Sequence, residues 1–262
     1  QKAASYPVFA GDSGAKYSLE PAAAIIVKLK DGKFTVPSDG DSNIIYRVIE
    51  TRNAVVSPAG ENGTAENPYE IDSLEDLNMI SDHAGAHYRL TKDIQINGKI
   101  NFSVNYFGGV LDGNGHIISG LKKPLMVQNG GIIKNLHIEA AFDDDSQNAQ
   151  GVFAQYNTGK IQECMVSGTV TGHMGGQGLQ EFPKFGGIAG ENSGTISGCS
   201  SRLNMNLSMP AMKSWAGGIV GLNKGCIEKC VSSGKITVTQ AEDAGQLYVG
   251  GIAGGTERTT LG

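Results

Sequence analysis

Gly186-Gly187-Ile188-Ala189-Gly190-Glu191-Asn192-Ser193-Gly194-Thr195-Ile196-Ser197-Gly198-Cys199 is the stretch that decides how this chain is read. The pattern returns as Gly217-Gly218-Ile219-Val220-Gly221-Leu222-Asn223-Lys224-Gly225-Cys226-Ile227-Glu228-Lys229-Cys230 and opens once more at Gly250-Gly251-Ile252-Ala253-Gly254. A looser copy runs from Gly151 to Cys164, with Phe153, Asn157, Gly159, Ile161 and Cys164 in register. Successive copies begin 35, 31 and 33 residues apart. Repeats of this length are stacking units, because one unit cannot bury its own apolar face. The chain reads as a solenoid.

Each copy holds a short apolar strand, an Asn-x-Gly corner, a second strand, and a third β-rich run (Ser167 to Thr171, Ser233 to Val238). Asn and Gly tolerate positive φ, which suits them to the corner. No unit carries a ten-residue apolar stripe of helical period, so helical repeats are not expected. Parallel coils stacked about 4.8 Å apart place equivalent side chains in columns. The expected columns are Phe153/Ile188/Ile219/Ile252, Ile161/Ile196/Ile227 and Cys164/Cys199/Cys230, beside a polar column of Asn157/Asn192/Asn223. The run from Asn129 to Leu136 aligns with Asn192 to Cys199 and adds Ile133 and Leu136. The fold class expected is all-β: a right-handed parallel β-helix with a helical cap and a small N-terminal β module.

Gly-Gly-Ile-(Ala/Val)-Gly-x-Asn-x-Gly-x-Ile resembles the GLUG repeat of bacterial surface proteins. Upstream, Glu66 to Ile71, Tyr88 to Ile94 and Gly109 to Ile118 resemble the region that opens such arrays. Leu121 to Met126 followed by Gly131 to Leu136 is similar to the non-catalytic N-terminal part of Gram-positive IgA1-protease-type metallopeptidases. The resemblance covers Gly63 to the end of the chain. It implies the β-helical fold; these repeats accompany many activities, so it implies no single function.

Composition narrows the field. Glycine supplies 38 of 262 residues with no Gly-X-Y period, which marks turns rather than collagen. The net charge is −5 and no run of Lys or Arg exceeds two, so nucleic acid is not an expected partner. No apolar stretch approaches the ~18 residues of a membrane span. Cys164, Cys199 and Cys230 share one repeat position and are expected as free, buried thiols, although neighbouring coils bring their Cα atoms within disulfide range. Cys226 is expected to face outward.

Residues 1–59 lack the repeat and read as a small β-rich module, with strands at Ala23 to Lys30, Lys33 to Val36 and Ile44 to Glu50 and a hairpin signal at Asp31-Gly32. Ser57 to Asn67 is the expected linker, and residues 60–262 the β-helix. Asp72 to Ile80 is the one convincing helix. Asp72 or Ser73 caps it, Glu75 and Asp76 suit its positive end, and Leu74, Leu77 and Ile80 form one apolar stripe. Its expected role is to cover the N-terminal end of the stack. The pattern fades after Gly254, as expected for a piece of a longer protein.

Catalytic and metal motifs are scarce. His83-Ala84-Gly85-Ala86-His87 has the spacing of paired imidazoles on a helix but lacks the Glu that a zincin places after the first His. The peptidase chemistry of the IgA1-protease family is therefore not carried over to these residues. Asp143-Asp144-Asp145 and Asp112-Gly113-Asn114-Gly115 read as a solvated loop and a turn rather than calcium sites. Glu163, Glu191 and Glu228 are the scattered carboxylates from which a glycosidase pair would have to come. No catalytic residue, cofactor or metal is expected.

Four irregular segments separate one coil from the next: Phe142 to Gln150, Gly172 to Phe185, Leu207 to Ala216, and Thr239 to Val249. Leaving the coil at one point of the repeat, they should lie side by side along one edge, the usual binding side of repeat proteins. Phe182, Phe185, Met209, Met212, Trp215, Leu247 and Tyr248 are the candidate partner-binding residues, the alternative being that they fold back to shield the strand edges. The leading expectation is a non-catalytic, adhesin-like binding or spacer segment of a secreted or cell-surface bacterial protein. Its partner would be a protein or glycan ligand or another domain of the parent. The alternatives are an accessory region of a surface metallopeptidase and a carbohydrate-active β-helix enzyme.

Overall fold

The computed structural model describes residues 9–10, 16–17, 63–96, 102–144, 149–173, 182–209, 213–240 and 245–257. The chain divides into two units, Gln1–Gly60 and Glu61–Gly262. In the first unit, Phe9–Ala10 pairs antiparallel with Lys16–Tyr17. The strands and hairpin expected between Ala23 and Glu50 lie outside the described residues.

The second unit is a parallel β-solenoid whose coils build four sheets. The first face has seven strands, from Tyr69–Ile71 and His87–Leu90 through Val110–Asp112, Ile132–Lys134, Lys160–Gln162 and Thr195–Ser197 to Cys226–Glu228. The second face comprises Ile94–Gln95, Ile117–Leu121, His137–Asp144, Met165–His173 and Ser200–Met209, then Val231–Ser232 and Ile236–Gln240. The third is Ala149–Gly151, Lys184–Gly186, Ser214–Gly217 and Leu247–Gly250. The fourth runs from Val104–Phe107 and Met126–Asn129 through Ala154–Asn157, Ala189–Asn192 and Val220–Asn223 to Ala253–Thr256. A full coil visits the third, fourth, first and second faces in that order.

Alternation along each strand sends every second side chain inward, and register turns those positions into columns. Tyr88, Leu111, Ile133, Ile161, Ile196 and Ile227 are in register on the first face. All but Ile227 are buried. Phe153, Ile188, Ile219 and Ile252 stack as expected, each backbone N–H donating to the next carbonyl at 3.0, 2.8 and 2.9 Å. The first three are fully buried, whereas Ile252, on the coil that ends the sheets, is 38 % exposed.

Asn129, Asn157, Asn192 and Asn223 form a side-chain ladder, each Nδ2 donating to the next Oδ1 at 2.7 Å. The first three are buried. An Asn amide carries both donor and acceptor, so one residue type can repeat indefinitely without leaving a buried polar atom unpaired.

The glycines do something other than turn. Gly190, Gly194, Gly221 and Gly225 have no positive φ. A Cβ on Gly221 would instead lie 2.7 Å from the Phe185 nitrogen and 2.7 Å from the Gly190 oxygen, and one on Gly190 would lie 2.5 Å from the Gln150 nitrogen. The last glycine of each Gly-Gly-x-x-Gly lets the backbones of the third and fourth faces touch. Among the described residues positive φ falls at the corner between the first and second faces, at Asn114, Gly115, Asn135, Glu163, Gly198 and Lys229, and at Gly63, Gly120 and Gly168.

The helix α1 spans Leu74–Asp82. Ser73 is its N-cap, its Oγ accepting from the Asp76 nitrogen at 3.2 Å while Asp76 Oδ2 accepts from the Asp72 nitrogen at 3.2 Å. Leu77 and Ile80 are buried. α1 packs on Val104–Phe107 and Tyr69–Ile71, the first strands of their sheets. Tyr88 fastens it by donating to the carbonyls of Met79 and His83 at 3.2 and 2.9 Å. Burial pushes the Tyr88 phenol up to about 12, so it remains a donor at any physiological pH.

Candidate functional site

The third face is where the irregular segments return to the coil. Its strands occupy Ala149–Gly151, Lys184–Gly186, Ser214–Gly217 and Leu247–Gly250, so parts of the expected loops are sheet. Likewise Phe142–Asp144, Gly172–His173 and Leu207–Met209 prolong the second face. The reason is parallel register: each segment meets its counterpart in the neighbouring coil and extends the ladder wherever the backbone can pair.

Register on this face sorts the candidate residues. Ala149, Lys184, Trp215 and Tyr248 form one column, and Gln150, Phe185, Ala216 and Val249 the other. Phe185 is 1 % exposed and belongs to the core. Met209, at the end of its second-face strand, is 2 % exposed and also in the core. Both leave the candidate surface, because the alternation of their own strands turns them inward. Leu247 is half-buried against the core, and Met212 lies outside the described residues.

Three of the seven candidates do come together. Trp215 stacks on Tyr248 with ring centroids 6.1 Å apart and planes 18° apart, and Phe182 meets Trp215 edge-on at 6.1 Å. Phe182 and Tyr248 are 49 and 39 % exposed, but Trp215 is only 5 % exposed. The indole is the floor of the cluster rather than its contact surface: a Cβ at Gly255 would lie 2.5 Å from its Nε1. Lys213 Nζ sits 4.8 Å from the Trp215 ring centre and 5.8 Å from that of Tyr248, within cation–π range. The Tyr248 hydroxyl donates to Gln246 Oε1 at 2.8 Å.

Beside this column lies an ion cluster that sequence reasoning missed. Glu191 Oε2 is 2.9 Å from Lys184 Nζ and its Oε1 is 2.8 Å from Lys224 Nζ. Desolvation acts to raise the Glu191 carboxyl, but hydrogen bonds from Lys224 and Lys184 prevail and hold it below the usual range. A carboxylate clamped between two ammonium groups is ill-suited to donate a proton. The available signal was positional: Lys184, Trp215 and Tyr248 each stand two residues before a repeat glycine.

The remaining candidates for chemistry are dispersed. α1 ends at Asp82, so His83 is its C-cap and stacks on Tyr69 at 5.8 Å, while His87 begins a strand. The two imidazoles do not share a helical face. Asp112 Oδ1 accepts from the Asn114 nitrogen at 2.9 Å and closes a turn. Asp143 and Asp144 are strand residues, and Asp145 lies outside the described residues. The four cysteines are free thiols: Cys164 and Cys199 are buried, Cys230 is half-buried and Cys226 is exposed. The single S–H of Cys199 has the carbonyls of Ile161 and Ser197 within reach at 3.5 and 3.3 Å, and the neighbouring Cys164 thiol, aided by burial, pushes it up to about 12. Among the described residues no three His, Cys, Asp or Glu side chains are grouped to hold a metal ion, and no helix is long and apolar enough to cross a membrane.

Comparison with known proteins gives a fold and one distant relative. No family model matches the chain. It is 33 % identical over 164 residues to halomucin of Haloquadratum walsbyi (strain DSM 16790 / HBSQ001), an alignment covering 52 % of this chain and 2 % of that protein. Among solved structures, it is similar to an IgA1 protease at a TM-score of 0.53 and 20 % identity, over 71 % of this chain and 15 % of that one. It is also similar to a putative immunoglobulin A1 protease from Bacteroides ovatus, at a TM-score of 0.43 and 17 % identity, over 73 % of this chain and 85 % of that one.

Proposed function

We propose that this chain is a non-catalytic binding segment of a secreted or cell-surface protein, adhesin-like, that contacts its partner through the third face. The observation that carries the reading is the aromatic cluster. Tyr248 exposes its ring on the third face and Phe182 exposes one just ahead of the strand Lys184–Gly186, both packed against Trp215 and flanked by Lys213. Aromatic side chains held in place by packing bind with little loss of conformational freedom, which makes them effective contact residues. The partner is a protein or glycan ligand or another domain of the parent. The GLUG pattern, a right-handed winding, and α1 as a cap over the first coil belong to the same reading. The contacts of α1 with the first strands of two sheets support the cap.

A second reading places the solenoid as an accessory region of an IgA1-protease-type metallopeptidase. What favours it is the likeness of this fold to 15 % of the chain of an IgA1 protease. A carbohydrate-active enzyme would have to draw its carboxylate pair without Glu191, which is tied to two lysines.

The test is binding of the whole 262-residue chain to protein and glycan arrays, with Phe182→Ala plus Tyr248→Ala as the variant. Both rings are exposed, so the melting transition should stay put while binding falls by about tenfold or more. Unchanged binding by the variant, or turnover of a peptide or polysaccharide by the chain itself, would sink the proposal.

A further inference from the structure

The outward side of the third face carries six side chains in two short rows. Lys184, Trp215 and Tyr248 are in register on three successive coils. Phe182, Lys213 and Gln246 each stand two residues ahead of them, and alternation returns them to the same side of the sheet. Lys213 belongs to the middle coil, with the exposed ring of Phe182 on the coil before it and that of Tyr248 on the coil after.

The lysines of this corner are not equivalent. Lys184 and Lys224 are matched by Glu191 at 2.9 and 2.8 Å, and Lys224 has Glu257 at 3.8 Å as well. Lys213 is half-buried, and among the described residues no carboxylate reaches it. Its ammonium rests instead on Trp215 and Tyr248, at 4.8 and 5.8 Å from the ring centres. A cation held over rings gives up part of its hydration and keeps its full charge. An anion beside these rings therefore meets a fixed ammonium, on a chain whose net charge is −5. Gln246 engages the Tyr248 hydroxyl through Oε1, which leaves its side-chain N–H groups as donors at the rim.

We propose that the third face takes an acidic glycan, its sugar rings laid on Phe182 and Tyr248 and a carboxylate paired with Lys213. The inference rests on the reading of this face as the contact surface; it adds the chemical class of the ligand and makes Lys213 the residue that determines it. A pyranose has an apolar C–H face to set against a ring, while the hydroxyls around its edge reach water or the Gln246 amide. An extended peptide fits less well. The strands Lys184–Gly186 and Ser214–Gly217 are paired on both sides, so a peptide cannot join the sheet there. Its own N–H and C=O groups would lie against rings without partners. A neutral glycan would cover the Lys213 ammonium without supplying a counter-charge.

Trp215 is the one tryptophan of the chain, so its emission reports occupancy of this face. Titration of the whole chain with polygalacturonate and hyaluronan, beside dextran and polyglutamate, tests the proposal. At least one acidic glycan should shift the emission, with an affinity that falls as salt is raised. Lys213→Met should weaken that affinity by about tenfold or more and Lys213→Arg should retain it, neither moving the melting transition. Phe182→Ala with Tyr248→Ala should weaken it too. Binding of no acidic glycan, equal binding of dextran, binding of polyglutamate in its place, or an unaltered affinity in Lys213→Met overturns the proposal. In each of these cases the contact-surface reading stands if a ligand found on the arrays is lost with the two exposed rings, and falls as well if that ligand is retained.

Discussion

At Asn192 one side-chain amide donates to Asn223 and accepts from Asn157, both at 2.7 Å, in the interior of the stack. Asn192→Ala removes both bonds and strands a donor on Asn157 and an acceptor on Asn223. The expected loss is about 1–3 kcal/mol, read from denaturant midpoints; an unchanged midpoint would show that the ladder is incidental. The glycines make a sharper residue-scale case. Gly221→Ala forces a methyl against the Phe185 and Gly190 backbones and should cost about 1–3 kcal/mol. A Cβ at Gly85 meets nothing within 4 Å, so Gly85→Ala should stay within about 0.5 kcal/mol of the parent. Equal effects at the two sites would refute the close-approach argument. Glu191 adds a pH dependence. Its folded carboxyl lies below the ordinary value of 4.5 because Lys224 and Lys184 hold it ionised, despite burial acting the other way. Its contribution is fully present above that value and is lost as pH falls through the folded one. Glu191→Gln should therefore be less stable at neutral pH, and the gap should close on acidification below about 4.5.

At the scale of elements, the third face shows how one strand can carry two opposite roles. Trp215 and Ala216 are neighbours, yet Trp215 stands in the column of Lys184 and Tyr248 and Ala216 in that of Phe185. Trp215→Ala should cost about 3 kcal/mol or more, because the indole is 5 % exposed. Phe182→Ala, at 49 % exposure, should stay within about 0.5 kcal/mol. Thermal melts of the two single variants check this, and similar losses would mean that Phe182 is part of the fold. α1 offers a second element-scale test. Ser73→Ala deletes the acceptor for the Asp76 amide and should cost about 1 kcal/mol, with faster amide exchange confined to Leu74–Asp82. Exchange that accelerates evenly across the sheets would contradict a local cap.

For the whole molecule the decisive feature is the repetition of inward columns through every coil. Ile196 stands between Ile161 and Ile227 with no exposure. An aspartate there would bury an unpaired carboxylate at a cost of several kcal/mol, and Ile196→Asp should abolish the cooperative transition of the solenoid. A folded variant with native circular dichroism would overturn the column assignment. The exposed end of the stack has the opposite expectation: Ile252 is already 38 % exposed, so Ile252→Asp should be far milder.

Sequence alone determined the parallel solenoid, because spacing and period-two alternation are local properties that need no partner to be read. The isoleucine, asparagine and cysteine columns followed from aligning the copies. Tertiary structure decided the rest. The third face exists because backbones from successive coils pair across segments that share no residue pattern apart from their distance to the repeat glycines. The division of Phe185 and Met209 to the core from Phe182 and Tyr248 to the surface follows from the pleat of those strands. The Glu191 clamp unites Lys184, seven residues upstream on the third face, with Lys224 from the next coil, a juxtaposition that only stacking creates. In the sequence glycine read as a corner residue tolerating positive φ, and only the contact of two sheets at Gly190 and Gly221 showed close approach instead.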